Sequence, residues 1–131
     1  MTNQIRNSND QNGGKAAPKY DLEARTARFG EETILFCKKI AATAVTTPLI
    51  SQLVRSATSI GANYCEANDA ESKRDFRHKI GICRKEARET KHWLRMIVAA
   101  EPSAREEARR LWQKAKELNL VFSAIRRSKD D

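Results

Sequence analysis

Residues 72–100 read SKRDFRHKIGICRKEARETKHWLRMIVAA. Within this stretch Phe76, Ile80, Cys83, Ala87, Thr90, Leu94 and Ile97 recur at spacings of 4, 3, 4, 3, 4 and 3. An α-helix turns once in about 3.6 residues, so the rhythm lays all seven side chains on one face, as in a heptad seam. Ser72 stands ahead of the run as a capping residue, with Asp75 in the first turn, where a negative charge meets the helix dipole. The spacing predicts one long helix ending near Ala100, before the break at Pro102.

Working outward, three more segments carry the same signature. Leu22, Phe29, Thr33, Phe36 and Ile40 share a face, with Asp21 as a natural N-cap. Gly30 in that segment weakens the helix but permits a close helix–helix contact. Residues 42–47 form a break, and Thr47-Pro48 reads as an N-cap followed by proline at the first helical position. The second helix runs to about Asn68, with Leu49, Leu53, Ala57, Ile60 and Tyr64 inward. Beside them lies a smaller stripe of Ile50, Val54, Gly61 and Cys65. After Pro102, with Ser103 as a candidate cap, Ala104, Ala108, Leu111, Ala115, Leu118, Phe122 and Ile125 repeat the 4-3 spacing. No segment alternates with period two, so strands are excluded. Four helices joined by short links predict an all-α, antiparallel up-down-up-down four-helix bundle. The polar residues 1–19, with Gly13-Gly14, predict a disordered tail, which leaves 20–128 as the bundle domain.

Composition agrees. Hydrophobic residues make up 40% and charged residues 32%, with only five glycines and three prolines, too few turn formers for a sheet-rich domain. The longest apolar run, Met96 to Ala100, is far short of the roughly 20 residues of a membrane span, and the N-terminus has no secretory core. A cytoplasmic protein is expected. Cys37, Cys65 and Cys83 are odd in number and lack CxxC spacing, so each is expected to be a small buried hydrophobe rather than half of a disulfide.

The net charge of +8 is concentrated: residues 72–100 hold nine Lys or Arg against three acids. At about 100° per residue from Phe76, six cations, Lys73, Arg77, Arg84, Arg88, Lys91 and Arg95, fall between roughly 60° and 120°. No acid shares that edge, although stability alone would favour Glu at i+4. The row is a track for the phosphates of RNA or DNA, a solvated face, or a set of cations paired with acids on a neighbouring helix. Base-reading motifs are absent, so binding would be to the backbone with little sequence specificity. The opposite edge carries Ile82, Trp93 and Met96. Trp112 likewise lies off the fourth helix's stripe, as do Leu35 and Leu120 on theirs. Tryptophan enrichment at interfaces makes Ile82, Trp93, Met96 and Trp112 the candidate surface for self-association.

Catalysis is not expected. A two-metal bundle site needs Glu-x-x-His on two helices, whereas Glu89-Thr90-Lys91-His92 and the near-match Asp75–His78 lie on one helix, and no third histidine exists. Cys83 faces the core while His78 and His92 point outward, so no Cys-His pair forms. No nucleophile elbow or phosphate-binding glycine loop occurs, and no cofactor is expected. Asn63, beside the core stripe, with Glu66 three residues on, reads as a buried hydrogen-bonding pair that fixes helix register, or else as a contact to a partner.

The run Arg55-Ser56, Ser59-Ile60, Asn63 and Glu66, within the segment from Pro48 to Ala67, resembles the four helix bundle proteins, also called 23S rRNA-intervening-sequence proteins. Phe76–Ala87 and Glu89–Leu94 extend the resemblance, which covers about residues 20–127. Where many members have Glu-Gly, this chain has Glu66-Ala67. The resemblance implies an up-and-down protomer, commonly a ring-shaped homopentamer, with no established catalysis. A related branch, the accessory variability determinants of diversity-generating retroelements, binds a reverse transcriptase and nucleic acid. An adaptor role as an accessory subunit of a reverse transcriptase is therefore the alternative expectation.

Overall fold

The computed structural model describes residues 21–130 and folds them as four helices: α1 (Leu22–Lys38), α2 (Thr46–Asn68), α3 (Lys73–Ala100) and α4 (Arg105–Asp130). Residues 39–45 join α1 to α2 and residues 69–72 join α2 to α3, while a 3₁₀ turn, Pro102–Ala104, leads into α4. Such short links force sequential helices to lie side by side and antiparallel. α2 packs extensively on both α1 and α3, and α3 on α4; α1 touches α4 only lightly. The predicted tail, 1–19, lies outside the described residues.

The predicted stripes form the core. Phe36, Leu53, Ile60, Ile80, Leu94, Ile97, Leu111, Leu118 and Phe122 are fully buried, and the Tyr64 and Phe122 rings meet at 5.8 Å. Threonines enter this core because each hydroxyl has a local acceptor: Thr26 donates to the Leu22 carbonyl (2.8 Å), Thr33 to Phe29 (2.9 Å) and Thr90 to Glu86 (2.8 Å). A hydroxyl satisfied four residues back costs little to bury.

Local chemistry sets the ends. The Asp21 carboxylate accepts from the Ala24 amide (3.2 Å), and Ser72 Oγ from the Asp75 amide (3.0 Å), both as expected. The start of α2 differs. Thr43 Oγ1 takes the amides of Val45 and Thr46, and Thr46 Oγ1 donates to the Ala41 carbonyl, so the helix begins at Thr46 and Thr47 caps nothing. Pro48 then falls third in the helix, where its missing N–H is still one of the unneeded donors. Ser103 is no cap either: its hydroxyl bonds the Glu101 carboxylate at 2.6 Å inside the 3₁₀ turn. The Asn63–Glu66 pair does not form. Asn63 Nδ2 donates to the Ser59 carbonyl (2.9 Å), and exposed Glu66 meets Lys79 of α3. Cys37 and Cys83 are buried, but Cys65, near the end of α2, is exposed.

Two glycines govern the α1–α2 approach, with opposite tolerances. A Cβ at Gly30 would sit 3.5 Å from Thr58 Cα and Cγ2, ordinary contact. Gly30→Ala is therefore expected to stabilise by about 0.5–1 kcal/mol through helix propensity and a less flexible unfolded chain. A Cβ at Gly61 would come 3.1 Å from Thr26 Oγ1, on a fully buried side chain tied to its own helix. Gly61→Ala should gain nothing or lose stability. Urea midpoints of the two variants test this, and equal stabilisation would contradict the packing described.

Candidate functional site

The flanks of α3 differ in charge because they face different neighbours. Its three acids, Asp75, Glu86 and Glu89, fall between roughly 220° and 280° on the helical wheel, toward α2. There Arg55 of α2 places its guanidinium 2.9 Å from Glu89 and 3.4 Å from both oxygens of Glu86. Glu86 is buried, and Arg55 covers it with a half-exposed side chain. Lys79 reaches back to Glu66 on the same side. The α2–α3 seam is thus neutralised within the chain.

The other flank is not. Among the described residues, no ion pair engages Lys73, Arg84, Arg88, Lys91 or Arg95. Arg84, Arg88 and Arg95 are exposed; Arg77 and Lys91 are half-buried. The Lys91 ammonium lies 5.1 Å from the centre of the Trp112 ring, which also carries Lys116 at 5.9 Å. Trp112 therefore packs between α3 and α4 and serves as a platform for cations.

Between α3 and α4 opens a cleft of about 510 Å³, lined by His78, Gly81, Ile82, Arg84, Lys85, Arg88 and Lys91 from α3 and by Asn119, Ser123 and Arg126 from α4. Five of these are cations and none is an acid. The structure gathers Arg84, Arg88 and Lys91 of the predicted row here. It leaves Arg95 beyond one end of the cleft, and Arg77 and Lys73 beyond the other, with Lys73 in a separate depression beside Glu71 and Phe76. Arg126, Asn119 and Ser123 were not anticipated. The signal for them lay on the fourth helix's own wheel, where all three fall within roughly 40–100° of the core stripe, on the edge that also holds Trp112.

The four interface candidates do not form one patch. Trp93 is half-buried against the core, with the His92 ring edge-on at 4.8 Å. Met96 lies on the outer side of the flank toward α2, Ile82 lines the cationic cleft, and Trp112 sits across α3 beneath Lys91. More exposed than these are Ile34, Leu35, Val45 and Leu120. Among the described residues, no three His, Cys, Asp or Glu side chains converge to hold a metal, and no helix is long and apolar enough to cross a membrane.

A crystal structure of a protein of unknown function from the S23 ribosomal protein family of Bacteroides thetaiotaomicron superposes with a TM-score of 0.71 at 30% sequence identity, covering 79% of this chain and 96% of that one. Among curated proteins no match is found. The model of the 23S rRNA-intervening sequence protein family matches residues 21–124, from the cap of α1 almost to the end of the α4 core stripe. With four helices in the expected order and that match running through all of them, this chain belongs to the 23S rRNA-intervening sequence protein family.

Proposed function

We propose that this protein is a non-enzymatic, homo-oligomeric binder of RNA or DNA backbone. The observation that carries the reading is the segregation on α3: Glu86 and Glu89 are spent on Arg55 within the protomer, while Arg84, Arg88 and Lys91 of the other flank gather with Arg126 around an acid-free cleft. Like charges held together raise the free energy of the unbound protein, and a polyanion relieves that repulsion while releasing its own counterions. Arg84, Arg88 and Lys91 are the central phosphate contacts, with Arg95, Arg77 and Lys73 extending the row along about 33 Å of helix. Without base-reading elements, affinity should depend little on sequence. Self-association would use apolar side chains away from the cleft, Trp93 and Met96 together with Leu35 and Leu120, and the family resemblance points to a pentamer.

The test is fluorescence anisotropy with labelled structured RNA and duplex DNA at low and high salt. Wild type is compared with the triple variant Arg84→Glu, Arg88→Glu, Arg95→Glu, and the mass of each is measured by light scattering. The expected result is binding that weakens steeply with salt, and a loss of at least about a hundredfold in the variant, since each charge-assisted contact contributes roughly 1.5–3 kcal/mol. Unchanged mass would assign the loss to the nucleic-acid surface. No binding by wild type at low salt refutes the reading, and an altered mass would reassign the cations to subunit contacts.

A further inference from the structure

A nucleic-acid strand spreads its charge: each phosphodiester carries one, and successive nucleotides advance about 3.4 Å along a duplex. The cleft between α3 and α4 concentrates its charge. Arg84, Lys85, Arg88, Lys91 and Arg126 line one half-open depression of about 510 Å³, within the size range of small-ligand sites.

Its construction is specific. Gly81 leaves the α3 surface bare where Arg126 crosses it; a Cβ there would come 3.5 Å from Arg126 Nε and 3.7 Å from Cζ. Arg126 Nε is shut off from solvent and, among the described residues, has no hydrogen-bond partner. The side chain is therefore held in place by packing rather than by an acid. Asn119 donates its amide to the Arg84 carbonyl at 2.8 Å, which ties α4 to α3 at the cleft and leaves the amide oxygen as an acceptor for a ligand hydroxyl. Three arginines supply the planar forks that grip phosphate oxygens in pairs.

We propose that this cleft is a seat for a terminal triphosphate, in which three linked phosphorus atoms place several negative charges within one small volume. The inference deepens the nucleic-acid reading and rests on it for one of two sources of the group: the 5′-triphosphate end of an RNA, or a free nucleoside triphosphate. Density of charge is the deciding match: Arg84, Lys85, Arg88 and Lys91 lie within about 10 Å of helix and Arg126 joins them from α4, whereas one strand of a duplex presents only about three phosphates over that length.

The experiment uses the full chain and two RNAs of identical sequence, one with a 5′-triphosphate and one with a 5′-hydroxyl. Inorganic tripolyphosphate and GTP serve as competitors and as additives in thermal melts at matched ionic strength. The expected result is at least about tenfold tighter binding of the triphosphate RNA, the effect of one charge-assisted contact or more, with tripolyphosphate competing and raising the melting temperature by several degrees. Arg126→Gln should abolish both effects, while Arg127→Gln, the same charge change on an exposed neighbour outside the cleft, should leave both intact. GTP binding as tightly as the RNA end would name the free nucleotide as the source; GTP binding far more weakly would name the RNA terminus. Equal affinity for the two RNAs, with no effect of tripolyphosphate, overturns the proposal. Should neither RNA bind while tripolyphosphate still stabilises the protein through Arg126, the nucleic-acid reading falls and the triphosphate seat stands.

Discussion

Phe122→Ala is expected to destabilise the protein by about 3–5 kcal/mol, while Leu120→Ala, two residues earlier on the same helix, should cost less than about 0.5 kcal/mol. Phe122 is fully buried and its ring meets Tyr64 at 5.8 Å, linking α4 to α2 across the bundle. Truncation removes apolar area and leaves a hole lined by α-helical side chains that cannot collapse without moving a whole helix. Leu120 is 58% exposed and loses almost nothing on truncation. Since a native domain holds only about 5–15 kcal/mol of net stability, the Phe122 variant should unfold at a much lower urea concentration. A small, equal effect at both positions would mean that the α4 stripe is not the core. Should Leu120→Ala change the assembly mass while leaving stability intact, Leu120 is a subunit contact.

The three thiols should separate by orders of magnitude in reactivity. Burial pushes the Cys83 thiol up to about 12 and Cys37 up to about 11, whereas Cys65 lies at the surface. Cys65 is also raised, by partial desolvation first and then by the nearby Glu23 carboxylate, so it should react more slowly than a free peptide thiol. Near pH 8, alkylation of the native protein should modify Cys65 alone. Cys37 and Cys83 should follow only at the rate of unfolding, identified residue by residue by mass spectrometry. The same shifts carry a pH dependence. An acid whose folded value is raised holds its proton in the native state after the unfolded chain has released it. Stability from these thiols is therefore complete below about pH 9 and falls as pH rises, by up to about 1.4 kcal/mol per unit for each thiol. Cys83→Ala should flatten that alkaline decline, at the expense of a small cavity. A decline equally steep in the variant would show that other groups cause it.

Periodicity made the bundle legible, because a side chain every third or fourth position has one physical use in a long helix. Caps that act within three residues, Asp21 and Ser72, were legible for the same reason: donor and acceptor are close in sequence. Contacts that depend on another helix were not. Asn63 and Glu66 look like partners on paper, yet Asn63 finds a carbonyl on its own helix and Glu66 finds Lys79 on the next. Thr47-Pro48 has the form of a helix start, but Thr43 reaches the free amides of Val45 and Thr46 first. The cationic row of α3 was legible by angle alone. The cleft was not, because it also needs Arg126, about 40 positions away, and the approach of α4 at Gly81 that brings it near. The same dependence on neighbours drew Trp112 into the α3–α4 seam, where it meets Lys91 and is only partly exposed.

A seam neutralised by ion pairs beside α2 and a cluster of cations beside α4 place positive charge to one side of the bundle rather than at one end. In the field of a polyanion, such a molecule feels a torque before it feels a contact, and it arrives with the cleft leading. The orientational search that slows most macromolecular encounters is thereby shortened. Added salt should therefore slow association much more than it hastens dissociation. A variant with the flank reversed in sign would be turned away during approach, and would lose encounters as well as grip.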